Sequence, residues 1–254
     1  MEGPRRYGAV SELLGLVGFG SFLAVSLTVG IRLLALARRT RRLPELAIGL
    51  QLVLAGALGY GLLTAAESLH VFPDPYGRWA SFAGVTAISA GSWFLALFTR
   101  RVFRRESAVA HAALLALALW LAFGVYGAWM LQIERAETGG GAWLGRWAAM
   151  IGLFVAYAWA CFEPLSHHAQ LRRRARIGLD AGHAIVANRM LLWGIGTGAV
   201  AAITLLHLVA QLAGYYELPE SLIGVVSMLA LVAAITEWLA FFPPLAYRRR
   251  FVRA

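Results

Sequence analysis

Seven long apolar stretches, separated by short polar gaps, occupy almost the whole of this chain. A helix needs about 20 apolar residues to cross a hydrocarbon core of roughly 30 Å. Only a structure that bonds its own backbone groups is stable there, which for single long stretches means the α-helix. The expected fold class is therefore all-α: one polytopic domain over residues 1–254, with transmembrane helices at 10–36, 44–66, 79–98, 107–131, 143–165, 189–212 and 220–242. The composition agrees, at 60% hydrophobic and 14% charged residues, against roughly 45–50% and 25% in soluble domains. Seven spans leave no room for a soluble catalytic or DNA-binding domain.

Local signals place the helix starts and stops. Leu43-Pro44-Glu45 and Leu218-Pro219-Glu220 combine an early proline, whose missing N–H costs nothing there, with an acid at the positive dipole end. Ser107 is the expected N-cap of the fourth helix, the fifth follows a turn at Gly139–Gly141 and ends near Pro164, and a long connector runs from Ala169 to Arg189. The stretch after Met1–Arg6 is too long for a cleaved signal peptide and is read as the first helix. A single cysteine, Cys161, rules out an intrachain disulfide and a cysteine-based metal cluster.

Arginine sets the expected orientation. With the N-terminus outside, Arg5, Arg6, Arg78, Arg135 and Arg146 lie outside and the remaining 18 basic residues lie at the inner face, so the expected topology is N-out with a cytoplasmic C-terminus. Tyr76, Trp79, Trp129, Trp143, Trp147, Tyr215 and Tyr216 mark the outer boundary as interfacial aromatics do. The net charge of +10 is then topological and does not call for nucleic acid. Arg172, Arg173, Arg174 and Arg176 are candidate contacts for anionic lipid headgroups, at about 1 kcal/mol each. The all-arginine composition and brevity point to a bacterial inner membrane.

Several chemistries lack their residues. No lysine is present, so no retinal Schiff base forms and no cofactor is expected. Zinc needs about four ligands at one depth, whereas His70 and His207 lie in the outer half and His111, His167, His168 and His183 in the inner. Ser89-Ala90-Gly91-Ser92 lacks both the form and the partner of a nucleophile and reads as a small-residue packing face. No enzyme activity is expected. The eight prolines fall at segment ends or in loops, and helices one to three do not visibly repeat in five to seven; both count against a transporter built on proline-broken helices. Glycines crowd helix one (Gly15, Gly18, Gly20), helix two (Gly49, Gly56, Gly59) and helix six (Gly194, Gly196, Gly198), where close packing and a hinge read alike.

Ionisable residues at membrane depth are costly, and so paired or functional. The inner set is Arg32, Glu45, Glu163, Arg189 and Glu237, whose signs balance in a network across helices one, two, five, six and seven. It reads either as ion pairing that fixes helix rotation or as a switch at the inner mouth. The outer set is Glu12, Glu67, His70, Tyr126, His207 and Gln211, with Tyr60 and Trp129, and polar groups among aromatics are the usual lining of a small-molecule pocket. His207 alone also reads as a packing histidine bonded to its neighbours.

Two segments, Arg42-Leu43-Pro44-Glu45 and the run from Leu171-Arg172-Arg173-Arg174-Ala175-Arg176 to Ala187-Asn188-Arg189-Met190, resemble patterns in uncharacterised bacterial seven-helix membrane proteins. The resemblance implies no activity. The leading functional expectation is a receptor-like or sensory protein, binding a small or lipid-like ligand in the outer half and signalling through the arginine-rich face to a separate partner. The alternatives are a small-solute transporter or channel past Glu163, Arg189 and Glu237, and a membrane scaffold.

Overall fold

The computed structural model describes residues 9–134, 141–177, 184–215 and 218–243, with the side chains of 9–14, 141–143, 184 and 220 outside the description. Among these residues the fold is all-helical, and seven helices are long and apolar enough to cross a membrane. They are α1 (Ala9–Thr40), α2 (Leu43–Ser68), α3 (Tyr76–Phe103), α4 (Ala108–Gln132), α5 (Gly141–Arg176), α6 (Ala184–Leu212) and α7 (Glu220–Phe241). Each packs against its neighbours in sequence, and α7 returns to pack on α1, closing the bundle. Because α3 also touches α5, α4 sits outside the ring, packed mainly against those two helices. Its Leu115, Leu119, Trp120 and Phe123 face outward.

The termini of the elements follow ordinary capping chemistry. Pro44 and Glu45 occupy the first turn of α2, and the Ala110 amide donates to Ser107 Oγ at 3.2 Å to cap α4. Glycine sets the closest approaches. A Cβ on Gly127 of α4 would come within 2.3 Å of the Gly145 backbone of α5, and one on Gly18 of α1 within 2.3 Å of the Ser227 carbonyl of α7. The α6 glycines likewise pack, Gly194 on Leu165, Gly196 on Thr236 and Gly198 on Cys161. Such contacts supply dispersion where the lipid removes any hydrophobic gain. Ser89, Gly91 and Ser92 of α3 are buried, with Gly91 against Ala55.

Two features depart from the sequence expectation. The fifth helix does not end near Pro164 but continues to Arg176, so Arg172, Arg173, Arg174 and Arg176 ride exposed on its last turns. Pro164 is fully buried inside it; the Ala160 carbonyl loses its helical donor, a loss that packing by neighbouring helices makes tolerable in a membrane. The expectation that all prolines lie at segment ends or in loops therefore fails at Pro164. The second departure is α2, which is α-helical over Leu43–Gln51, π-helical over Leu52–Gly59, α-helical over Tyr60–Leu63 and π-helical again over Thr64–Ser68. The widened turns follow directly on Gln51, and π segments recur at functional sites.

Candidate functional site

Several buried polar side chains meet inside the bundle. Phe22 of α1, Gln51 of α2, Tyr157 of α5, Trp193, Gly196, Thr197 and Val200 of α6, and Ala233 and Glu237 of α7 line a cavity of about 10 Å³, which is near the least that holds one water. Gln51 lies about 12 Å along α2 from Leu43, at 1.5 Å per residue, well inside the apolar layer.

Glu237 is buried at 7% exposure, and Ser26 of α1, wholly buried, donates its hydroxyl to Oε2 at 3.3 Å. No basic side chain among the described residues comes within 4 Å of that carboxyl. Across the cavity, the Gln51 amide donates from Nε2 to the Tyr157 hydroxyl at 3.0 Å. Two lining groups are left over: Gln51 Oε1 and Trp193 Nε1 are buried with no hydrogen-bond partner among the described residues. An acceptor and a donor stranded in this way each cost about 1–3 kcal/mol unless something in the cavity bonds them.

Aromatic pairs lie along the bundle on both sides of these residues. Toward the end away from the arginines, Tyr60 meets Phe19 and Phe22 edge-on at 6.4 and 6.0 Å. Toward the arginine-rich end, Trp193 meets Phe98 at 6.0 Å and Phe241 at 5.6 Å. Phe241 stands about one helical turn beyond Glu237.

The five inner candidates do not form one network. Glu163 accepts from Arg104 Nε at 2.8 Å and from Trp159 Nε1 at 3.2 Å. This hydrogen bond and charge hold the Arg104 guanidinium above its ordinary, already high pKa. Arg32 places its guanidinium 4.2 Å over the Phe242 ring, and Arg189 donates from Nε to the Ala240 carbonyl at 2.7 Å. Glu45 keeps a buried Oε2 without a hydrogen-bond partner. Glu237 belongs instead to the central cavity.

The outer candidates are spread over the surface. Glu67 is exposed within the second π segment and His70 just beyond it, and Tyr126 is exposed on α4. Half-buried His207 turns Nδ1 to the Ile203 carbonyl of its own helix at 2.8 Å, and Gln211 lies one turn on. Glu12 lies in α1 with its side chain outside the described residues. At this end an open notch of about 210 Å³ is lined by Pro75, Arg78, Trp79, Gln132 and Ile133. Arg78 forks onto the Asp74 carboxylate at 2.7 and 3.0 Å, and Trp79, Phe82 and Trp129 cluster edge to face.

The residues that sequence reasoning missed are Ser26, Gln51, Tyr157, Trp193, Thr197 and Arg104. A search confined to ionisable groups passes over all but the last; neutral polar residues inside apolar runs were the available signal. The chain was compared with family models, curated proteins and solved structures, and none matches.

Proposed function

We propose that this chain is an integral protein of a bacterial inner membrane, N-terminus outside and C-terminus cytoplasmic, that carries a small solute across the bilayer with Glu237 as its coupling acid. One observation carries the reading: a buried carboxyl with no basic partner among the described residues, lining a small cavity at membrane depth together with Gln51, Tyr157 and Thr197, with aromatic pairs to either side. An ionisable group in that position is expensive to keep and marks ion pathways and proton relays. The two layers supply what alternating access needs, a thin barrier on each side of a fixed site. The π segments of α2 and Pro164 of α5 put irregular backbone on two of the helices that line it. The exposed arginines at the end of α5 support contact with anionic headgroups. No reaction and no cofactor is assigned.

The test is uptake into liposomes loaded with a pH-sensitive dye, challenged with a panel of amino acids, sugars and organic cations under an imposed pH gradient. Solute-dependent dye response that Glu237→Gln abolishes is the expected result. A panel that moves nothing, with the protein shown folded, overturns the reading.

A sensory protein is the second reading, and the notch beside Arg78, Trp79 and Gln132 favours it. There a small ligand would bind at the end opposite the arginines and a separate partner would read the arginine-rich face. Ligand-dependent protection of Trp79 fluorescence from a soluble quencher, without flux, would distinguish it.

A further inference from the structure

We propose that the central cavity is a proton site built around one water molecule, which Gln51 and Trp193 hold beside the Glu237 carboxyl. The proposal rests on the transport reading for its use, since it names the coupling ion, but the site itself is argued from its own geometry.

The cavity has room for one water. A buried water makes two to four hydrogen bonds, giving and accepting at once. Gln51 Oε1 can accept and Trp193 Nε1 can donate, both are more than nine-tenths buried, and neither has a partner among the described residues. A water answers both, whereas a bare metal cation would satisfy the amide oxygen and be repelled by the indole N–H. Glu237 supplies the third contact. Ser26 already donates to its Oε2, which leaves the other carboxyl oxygen for the proton and the water.

Among the described residues, no basic side chain forms an ion pair with the carboxyl. From α1 come Ser26 and Arg32, the latter engaged over Phe242. From α2 come Gln51 and Tyr60, and from α5 Tyr157, which accepts from Gln51. From α6 comes Arg189, engaged with the Ala240 carbonyl. The charge balance of the pocket is thus set by whether Glu237 carries its proton.

The step is a plain proton transfer. The carboxyl O–H bond breaks with its electron pair staying on Glu237, and the proton forms a third O–H bond on the water. The resulting hydronium hands a proton to bulk water once one aromatic layer parts. Reloading from the other side reverses each bond change.

Infrared difference spectroscopy on the full chain in lipid nanodiscs, without solute, tests this directly. At neutral pH in sodium-free buffer, the wild type should show a carboxylic-acid C=O stretching band that shifts in heavy water and vanishes completely in Glu237→Gln. Trp193→Phe and Gln51→Leu should keep the band and move it to higher frequency, as the water that bonds the carboxyl is lost. Oxygen-18 water should shift one buried O–H stretch in the wild type and not in Trp193→Phe. Should Glu237→Gln fail to fold, Glu237→Asp, which retains an acid on a shorter stem, should displace the band. Absence of the band, or its disappearance on adding sodium chloride but not choline chloride, overturns the proton site. A negative solute panel beside a positive band sinks the carrier and keeps the site; positive flux beside a missing band does the reverse.

Discussion

The Ser26 hydroxyl reaches the Glu237 carboxyl across 3.3 Å and so ties the first transmembrane helix to the last. The same serine faces α2: a Cβ on Gly56 would fall 2.6 Å from both its Cβ and its Oγ. Three helices therefore converge on one small side chain. Ser26→Ala removes the bond but not the volume, and its expected cost is about 0.5–1 kcal/mol, the range of single interhelical hydrogen bonds in membranes. Gly56→Ala overfills the contact and should cost more, about 1–3 kcal/mol. Pairing it with Ser26→Gly should recover part of the loss. Thermal unfolding of the wild type, Ser26→Gly, Gly56→Ala and the double variant in one detergent gives the coupling directly, and strict additivity of the two changes would show that the residues do not meet.

The crossing of α4 on α5 depends on two glycines. Because a Cβ on Gly127 would lie 2.3 Å from Gly145 Cα, with backbone rather than a movable side chain in its way, Gly127→Ala has to separate the helices. The expected loss is about 1–3 kcal/mol. Gly20→Ala serves as the control, since nothing lies within 4 Å of a Cβ there and alanine favours a helix over glycine. The peripheral place of α4 makes the effect local: cleavage by protease should appear first near α4, while the central cavity residues keep their protection.

How much of this was legible beforehand depends on what each residue's neighbours are. Seven spans follow from length and hydropathy, because the bilayer fixes both. The Ser107 cap was legible for the same reason, its partner Ala110 being three residues away. Pro164 was misread because proline stops a helix in water, while here it is fully buried and α6 packs beside it, Gly194 against Leu165 and the Cys161 carbonyl. The inner charges were seen, but not the partner of Glu163. Which arginine Glu163 meets is decided by how α5 docks against the α3–α4 turn that carries Arg104, a relation that no local pattern encodes. Gln51 and Tyr157 stand 106 positions apart, and nothing in either segment gives their common depth.

Glu163 offers a test of that docking. Arg104 is half exposed while Glu163 is 10% exposed at its side chain, so removing the arginine strands the less solvated partner. Arg104→Ala should lower the unfolding temperature measurably, though by less than breaking a fully buried pair would, because water screens the arginine side. Trp159 continues to donate to the same oxygen and limits the loss. Arg105→Ala, one residue on and exposed, should be neutral within about 0.5 kcal/mol. Equal effects from the two arginines in thermal unfolding would remove the pair from any account of how α5 is held.

The topology proposed here has its own check, and the chain is well suited to it. Cys161 is the sole cysteine, so Cys161→Ser gives a thiol-free background once Gly198, which packs on its sulfur, is shown to tolerate the smaller hydroxyl. Arg39→Cys and Arg173→Cys then place thiols at exposed positions on the arginine-rich end, and Tyr76→Cys at an exposed position on the other. In intact bacterial cells a membrane-impermeant maleimide should label the Tyr76→Cys protein and leave the other two unlabelled until the membrane is opened, because loops dense in arginine stay on the cytoplasmic side. The reverse pattern would turn the molecule over. It would put the Phe98, Trp193 and Phe241 layer on the outer side of Glu237, and with it the direction from which the acid loads its proton.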